Sequence, residues 1–243
     1  MNNPLCVIVG AGEGLGKSLA TKFAREGLDL ALISRTEAGS RAAMEAATAA
    51  NGNVAVKHYA ADVMAPESLE EALGRASEDL GPVDVMIYNV RNRFTACAPL
   101  DLSYDDLMDE FRLEVIGALA AAKAVIPTMQ RRGSGTLLYS SATAAFRGSA
   151  TYPHYAIGKF GLRALSQSLA KAHAADGIHV AHVRLDCDLD VPIMQALYGE
   201  KYDPDALADP ADVAETYWWL TQQPKGAWSN EVDLRPHTER WTF

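Results

Sequence analysis

The chain has 243 residues, 49% of them hydrophobic and 22% charged, which is enough apolar content for one α/β domain with a large core. A formal net charge of −9 argues against nucleic acid and anionic membrane as partners, since both need a basic face. Cys6, Cys97 and Cys187 lie far apart, match no zinc or redox spacing, and read as buried reduced thiols.

The N-terminus passes directly into the apolar run 5–9 without a basic region, so no secretory signal is expected. No stretch reads as the ~18 apolar residues of a membrane span, and the expected location is the cytoplasm. Apolar or β-branched runs at 5–9, 29–34, 54–60, 83–88, 136–139, 178–185 and 231–234 predict strands. Segments with helical spacing lie between them at 18–26, 37–50, 66–79, 104–130, 155–174 and 209–222. This alternation predicts a single domain over 1–243, a doubly wound parallel sheet of about seven strands with helices on both faces. The least regular stretch, 186–210, reads as a loop covering a substrate.

The first strand ends in Gly10-Ala11-Gly12-Glu13-Gly14-Leu15-Gly16-Lys17-Ser18, directly before a helix. Glycines there permit positive φ and let backbone N–H groups approach a pyrophosphate, to which the helix N-terminus adds partial positive charge. The ending Gly16-Lys17-Ser18 also resembles a triphosphate-binding loop, but that loop's first glycine falls on Ala11. A dinucleotide is the better fit. The second strand ends Ser34-Arg35-Thr36, with no acid before Glu37. Arg35 can fork onto a 2′-phosphate, and Ser34 and Thr36 can donate to it, which points to NADP(H) over NAD.

Tyr155-Ala-Ile-Gly-Lys159 opens a helix after the fifth strand, where a doubly wound sheet places its ligands, and puts Tyr155 and Lys159 on one helical face. From Leu5 to about Pro236 the chain resembles the classical short-chain dehydrogenases/reductases. The resemblance rests on the spacing Gly10-x-x-x-Gly14-x-Gly16, Asp62 after the third strand, the helix end Lys123-Ala-Val-Ile-Pro-Thr-Met129, and the segment from Gly135 through Gly148 to Tyr155-x-x-x-Lys159.

The resemblance implies an NADP(H)-dependent oxidoreductase acting on a carbonyl or secondary alcohol of a small molecule, without metal, assembled as a homodimer or homotetramer. Tyr155 would be the general acid/base. Lys159 would hold the nicotinamide ribose and lower the Tyr155 pKa. Cofactor contacts would come from Gly10, Gly12, Glu13, Gly14, Leu15, Gly16, Ser34, Arg35, Thr36, Asp62, Val63, Asn89, Tyr155 and Lys159.

The departures are as specific. The family's serine position, thirteen before the tyrosine, is Ala142, leaving Ser141 or Thr143 as stand-ins. The family's helix asparagine maps to Glu114, which reads either as a partner of Lys159 or as a surface glutamate. The Asn-Asn-Ala-Gly turn is Tyr88-Asn89-Val90-Arg91, and a Pro-Gly pair is replaced by Leu185-Asp186. A non-catalytic NADP(H)-binding module therefore stands as the alternative function.

Other candidates have simpler readings. Asp186, Asp188 and Asp190 read as a solvated acidic loop or a cation site, and His154 as a packing or substrate residue. Arg91 and Arg93 read as contacts for an anionic substrate or as offsets to the acids. Trp218, Trp219, Trp228 and Trp241 read as packing. Alanines 118, 120, 121, 122, 164, 170 and 172 read as a small-residue outer face through which helices of two subunits pair.

Overall fold

The computed structural model describes residues 3–91 and 95–238. Seven parallel strands form one sheet in the order β3-β2-β1-β4-β5-β6-β7. They are β1 (Leu5–Val9), β2 (Asp29–Ser34), β3 (Val56–Ala60), β4 (Val83–Tyr88), β5 (Gly135–Ala142), β6 (Ile178–Leu185) and β7 (Glu231–Leu234). The order runs outward from β1 in both directions, so the switch point lies between β1 and β4, where such folds open a ligand crevice.

β1 is buried at every position because both sheet faces are covered. Cys6 and Ile8 face the layer of α1 (Leu15–Arg25), α2 (Glu37–Ala50) and the late helix Pro210–Thr221, while Leu5, Val7 and Val9 face the opposite layer. That layer holds α3 (Pro66–Leu80), then α4 (Tyr104–Phe111), a π-helical turn Arg112–Ile116, α5 (Gly117–Arg132) and α6 (Pro153–His173). Full burial of each such aliphatic side chain contributes on the order of 1.5–3 kcal/mol.

Local chemistry sets the helix ends. Thr36 caps α2 by accepting from the Gly39 amide at 3.3 Å, and Ser103 caps α4 by accepting from the Asp106 amide at 3.0 Å. α5 stops at Gly133, whose φ of +67° is left-handed.

The third strand starts at Val56 and not at 54, because the Ala55 amide bonds the Asp29 carboxylate at 2.8 Å before the ladder begins. The fifth strand outruns 136–139 at both ends: Gly135 pairs with Ile178, and Ser140, Ser141 and Ala142 stay paired with Val183, Arg184 and Leu185 despite their small side chains. The segment 186–210 is not simply a loop. It contains α7 (Pro192–Tyr198), started by Pro192 in the first turn, and two short 3-10 turns before α8 (Pro210–Thr221).

The largest correction concerns the alanines of α5, whereas Ala164 and Ala172 on α6 are exposed as expected and Ala170 is half-buried. Ala118, Ala120, Ala121 and Ala122 are buried against the sheet and α3, where their small size lets α5 lie close to the strands. The outer side of these helices carries Met108, Phe111, Leu119, Ile157 and Phe160. The continuous helical stretch Tyr104–Arg132 has the length and composition of a membrane span, but half of its apolar window is buried in this fold, as a core helix requires.

Candidate active site

At the C-terminal ends of the strands, the glycine turn separates into two kinds of position. A Cβ on Gly10 (φ +88°) would lie 2.4 Å from the Asn89 carbonyl oxygen, and one on Gly16 would lie 2.8 Å from the Ala11 Cα, so the fold itself demands both glycines. Asn89 adds a bond from its side-chain amide to the Gly10 carbonyl at 3.1 Å. A Cβ on Gly12 would meet nothing within 4 Å, so protein packing does not account for that glycine. The α1 N-terminus at Gly14 has no side-chain cap, leaving first-turn amides for a ligand; Glu13 is exposed and Leu15 buried beside them. These features fit a bound pyrophosphate.

The β2 tip only partly matches expectation. The Ser34 hydroxyl donates to the Thr36 carbonyl at 2.7 Å and also meets Ser40 and His58, so it is committed within the fold and not to a phosphate. The Thr36 oxygen caps α2. Arg35 is exposed and, among the described residues, has no hydrogen bond or ion pair. Asp62 is exposed and its carboxylate accepts from the Met64 amide at 3.0 Å; Val63 is half-buried, with its carbonyl close to Gly117.

α6 brings Tyr155 and Lys159 together as their spacing predicts: the Lys159 Nζ lies 5.7 Å from the Tyr155 ring centre. Glu114 is fully buried and 2.8 Å from that ammonium, which also donates to the Ser140 carbonyl at 3.3 Å. Glu114 is thus the partner of Lys159 and not a surface residue. Sequence reasoning missed a second buried carboxylate, Glu110, one turn earlier.

The backbone explains this convergence. In the π turn, the Tyr88 hydroxyl donates to the Leu113 carbonyl at 2.5 Å, and only a glycine at 117 leaves it room. Gly158 does the same on α6, where a Cβ would lie 2.9 Å from the Glu110 Cγ and 3.0 Å from the Glu114 Cγ. The four-residue spacing Glu110-x-x-x-Glu114, facing a glycine in Tyr155-Ala-Ile-Gly-Lys159, was the available signal.

Both buried carboxylates act on the Lys159 ammonium. Burial raises Glu114 to about 7, with Lys159 pulling down and Glu110 adding to the rise. Burial works against the Lys159 charge, but Glu114, Tyr155 and Glu110 outweigh it and hold the ammonium above its ordinary value. Tyr155 is also raised, chiefly by burial; Lys159 and Arg91 lower it, and Glu114 and Glu110 raise it. Lys159 thus acts to lower Tyr155, as its expected role requires, but burial, the larger effect, leaves the phenol above its ordinary value.

The two possible replacements for the missing serine part company. β5 ends at Ala142 and Thr143 starts a 3-10 turn, so Thr143 leaves the strand and donates to Asp186. Asp186 is buried, not solvated, and is held by Arg235 at 2.5 Å. Ser140 points toward α8, bonding Tyr217 at 2.7 Å. Strand alternation turns Ser141 to the opposite side, toward α5 and α6, where its buried hydroxyl has no hydrogen-bond partner among the described residues.

Asp188 and Asp190 accept from the hydroxyls of Tyr198 and Tyr202 at 2.7 and 2.9 Å, and no metal-ligating cluster occurs among the described residues. His154 is buried with its Nδ1 3.8 Å from the Cys97 Sγ, a packing role. Trp218 packs edge-on against Phe23 and Trp228 stacks on His179, whereas Trp219 is half exposed. Arg93 and Trp241 lie outside the described residues.

Comparison with known proteins agrees with this geometry. The sequence profile of the short chain dehydrogenases matches residues 5–187. An uncharacterized oxidoreductase of Staphylococcus aureus (strain N315) is 26% identical over 238 residues, covering 97% of this chain and 98% of the relative. Among solved structures, a short-chain dehydrogenase from Rhodopseudomonas palustris superposes with a TM-score of 0.82 at 26% identity, over 98% of this chain and all of that one. L-sorbose reductase from Gluconobacter frateurii, complexed with NADPH and L-sorbose, has the same fold, with a TM-score of 0.85 at 20% identity over 97% of this chain and 96% of that chain. The glycine turn at the switch point, the Tyr155–Lys159 helix and the profile match over three quarters of its length lead to one conclusion: this chain belongs to the short chain dehydrogenase family.

Proposed function

We propose that the protein is an NADP(H)-dependent oxidoreductase that reduces a carbonyl, or oxidises a secondary alcohol, of a small organic substrate with Tyr155 as acid/base. The observation that carries this reading is the placement of Tyr155 and Lys159 at the same end of the sheet as a glycine turn with unfilled space at Gly12. A bound nicotinamide would supply or accept the hydride. The chain's own part is to bind the pyrophosphate on Gly12, Gly14 and the α1 amides, and to hold a proton on the Tyr155 oxygen. A phenol raised above its ordinary value is protonated at neutral pH, which suits donation to a carbonyl oxygen. The segment 186–210 suits a cover for the substrate, since the Val191 Cγ1 lies 3.4 Å from where a Gly14 Cβ would stand.

Cofactor choice follows from Arg35. Its exposed guanidinium offers a 2′-phosphate a charge-assisted fork that NADH cannot use, and L-sorbose reductase, which shares the fold, is complexed with NADPH. Such contacts contribute on the order of 1.5–3 kcal/mol, or roughly tenfold to a hundredfold in affinity. Calorimetric titration is expected to show NADPH binding more tightly than NADH, with the preference lost in Arg35→Ala. Equal affinities in the wild type would reject NADP(H).

The missing serine is the specific observation favouring a non-catalytic NADP(H)-binding module. Against it, the proton of the Thr143 hydroxyl is committed to Asp186, whereas the Ser141 hydroxyl is uncommitted and can donate to a substrate oxygen. Ser141→Ala is expected to lose more rate than Thr143→Ala, without losing cofactor affinity. The reverse order would transfer the role to Thr143.

We also propose a homodimer or homotetramer, now without the buried alanines of α5. Phe111 and Leu119 on the long helix and Ile157 and Phe160 on α6 form an exposed apolar band that a second copy would cover. Light scattering at micromolar protein should give a multiple of the 26.2 kDa chain and a monomer for Phe111→Asp. A monomeric wild type would remove the proposal.

A further inference from the structure

Glu114 occupies the position of the family's helix asparagine, yet it is ionisable, fully buried and 2.8 Å from the one ammonium that faces Tyr155 from its own helix. An ammonium paired at that distance presents a dipole, rather than a full charge, to a ring centre 5.7 Å away. Glu110, buried one turn earlier, adds a second negative charge on the same side.

Among the described residues, the charged groups facing Tyr155 are Lys159 on α6, Glu110 on α4, Glu114 in the π turn and Arg91 after β4. On the strands, burial keeps the phenols of Tyr88 and Tyr139 neutral and holds His182, which feels the Lys159 charge, below its ordinary value. An asparagine at 114 would leave the Lys159 charge acting on Tyr155 with far less opposition.

We propose that Glu114 is a positioning residue that holds the Lys159 ammonium and cancels its field at Tyr155, keeping the phenol in its proton-donating form. The proposal rests on the reading of Tyr155 as the acid. It gives the departure from asparagine a consequence: carbonyl reduction should persist to higher pH than an uncancelled lysine would allow. Overall equilibrium between carbonyl and alcohol is untouched; what moves is the pH at which the phenol ionises.

The test uses the cofactor-free protein. Tyrosinate absorbance is titrated with pH, and the Tyr155 signal is isolated by subtracting a Tyr155→Phe partner made in each background. Removing the carboxylate in Glu114→Gln or Glu114→Asn is expected to lower the Tyr155 midpoint by roughly one unit or more, the scale of an opposite charge acting within a few ångströms. Glu114→Asp, which retains the charge, should keep the midpoint of the wild type. The alkaline limb of carbonyl reduction should fall with the midpoint in the neutral variants.

A midpoint unmoved or raised in a folded neutral variant would overturn the inference. If neither neutral variant folds, Glu110→Gln leaves the ion pair intact and must still lower the midpoint, though by less; no change there is equally fatal. The two readings fail separately. An unmoved midpoint with Tyr155→Phe inactive rejects only the role of Glu114, whereas an active Tyr155→Phe rejects the acid role whatever the titration shows.

Discussion

Tyr155→Phe is expected to lower carbonyl reduction by about 10²–10⁴-fold, the usual worth of a positioned proton donor. NADPH affinity should stay nearly unchanged, because in the proposed function the phenol oxygen would serve proton transfer while the glycine turn and α1 would hold the pyrophosphate. Lys159→Ala should damage more than rate. It removes the partner of a fully buried carboxylate, a change that typically costs about 3–5 kcal/mol in stability. NADPH-oxidation assays over a broad carbonyl panel, paired with direct cofactor titration, separate the two variants. Wild-type turnover in Tyr155→Phe, or no reaction with any member of the panel, would replace the enzyme by the binding module.

The second large effect is a pH dependence of stability that the wild type conceals. Glu114 rises from an ordinary 4.5 to about 7 in the folded protein. A group raised in this way contributes its full stability below pH 4.5 and loses it as pH climbs through 7, a change of about 3 kcal/mol for a fully buried carboxyl. His182 opposes it. Its imidazole is fully buried and, chiefly by burial, is held down from 6.5 to about 4, so its contribution is present above pH 6.5 and lost as pH falls through 4. His179 is shifted in the same direction.

The wild-type stability curve between pH 4.5 and 7 should therefore be nearly flat. Glu114→Gln removes the falling component and should leave stability rising with pH across that window. Urea denaturation at several pH values measures it through the midpoint at constant slope. Parallel curves for wild type and Glu114→Gln would mean that Glu114 does not titrate in this range.

Much of the architecture was legible because it is written in short-range periodicity. The apolar runs alternate with helical spacing, so the parallel sheet, its two helical layers and most element positions follow from neighbours two to four residues apart. The glycine turn and the Tyr155–Lys159 pair were legible for the same reason: each lies on one continuous segment. Element ends were less clear where side chains were small and polar, as at Ser140–Ser141, or where proline opened an unforeseen helix at Pro192.

What tertiary structure alone decided is what depends on contacts between distant segments. Alanine carries no strong preference for core or surface, so the inward placement of Ala118, Ala120, Ala121 and Ala122 followed only from how closely α5 lies on the sheet. The ion pair of Glu114 with Lys159 spans 45 residues and the bond of Thr143 to Asp186 spans 43; no local pattern encodes either. The ion pair arises where a π turn, opened by Tyr88 and accommodated by Gly117 and Gly158, brings two helices within backbone reach, and the Thr143 bond where the ends of β5 and β6 meet. Sequence periodicity determined the sheet and the Tyr155–Lys159 pair on one helical face. The charge surrounding the Tyr155 phenol was decided by helix packing, because burial and Coulomb interactions depend on distance in space rather than along the chain.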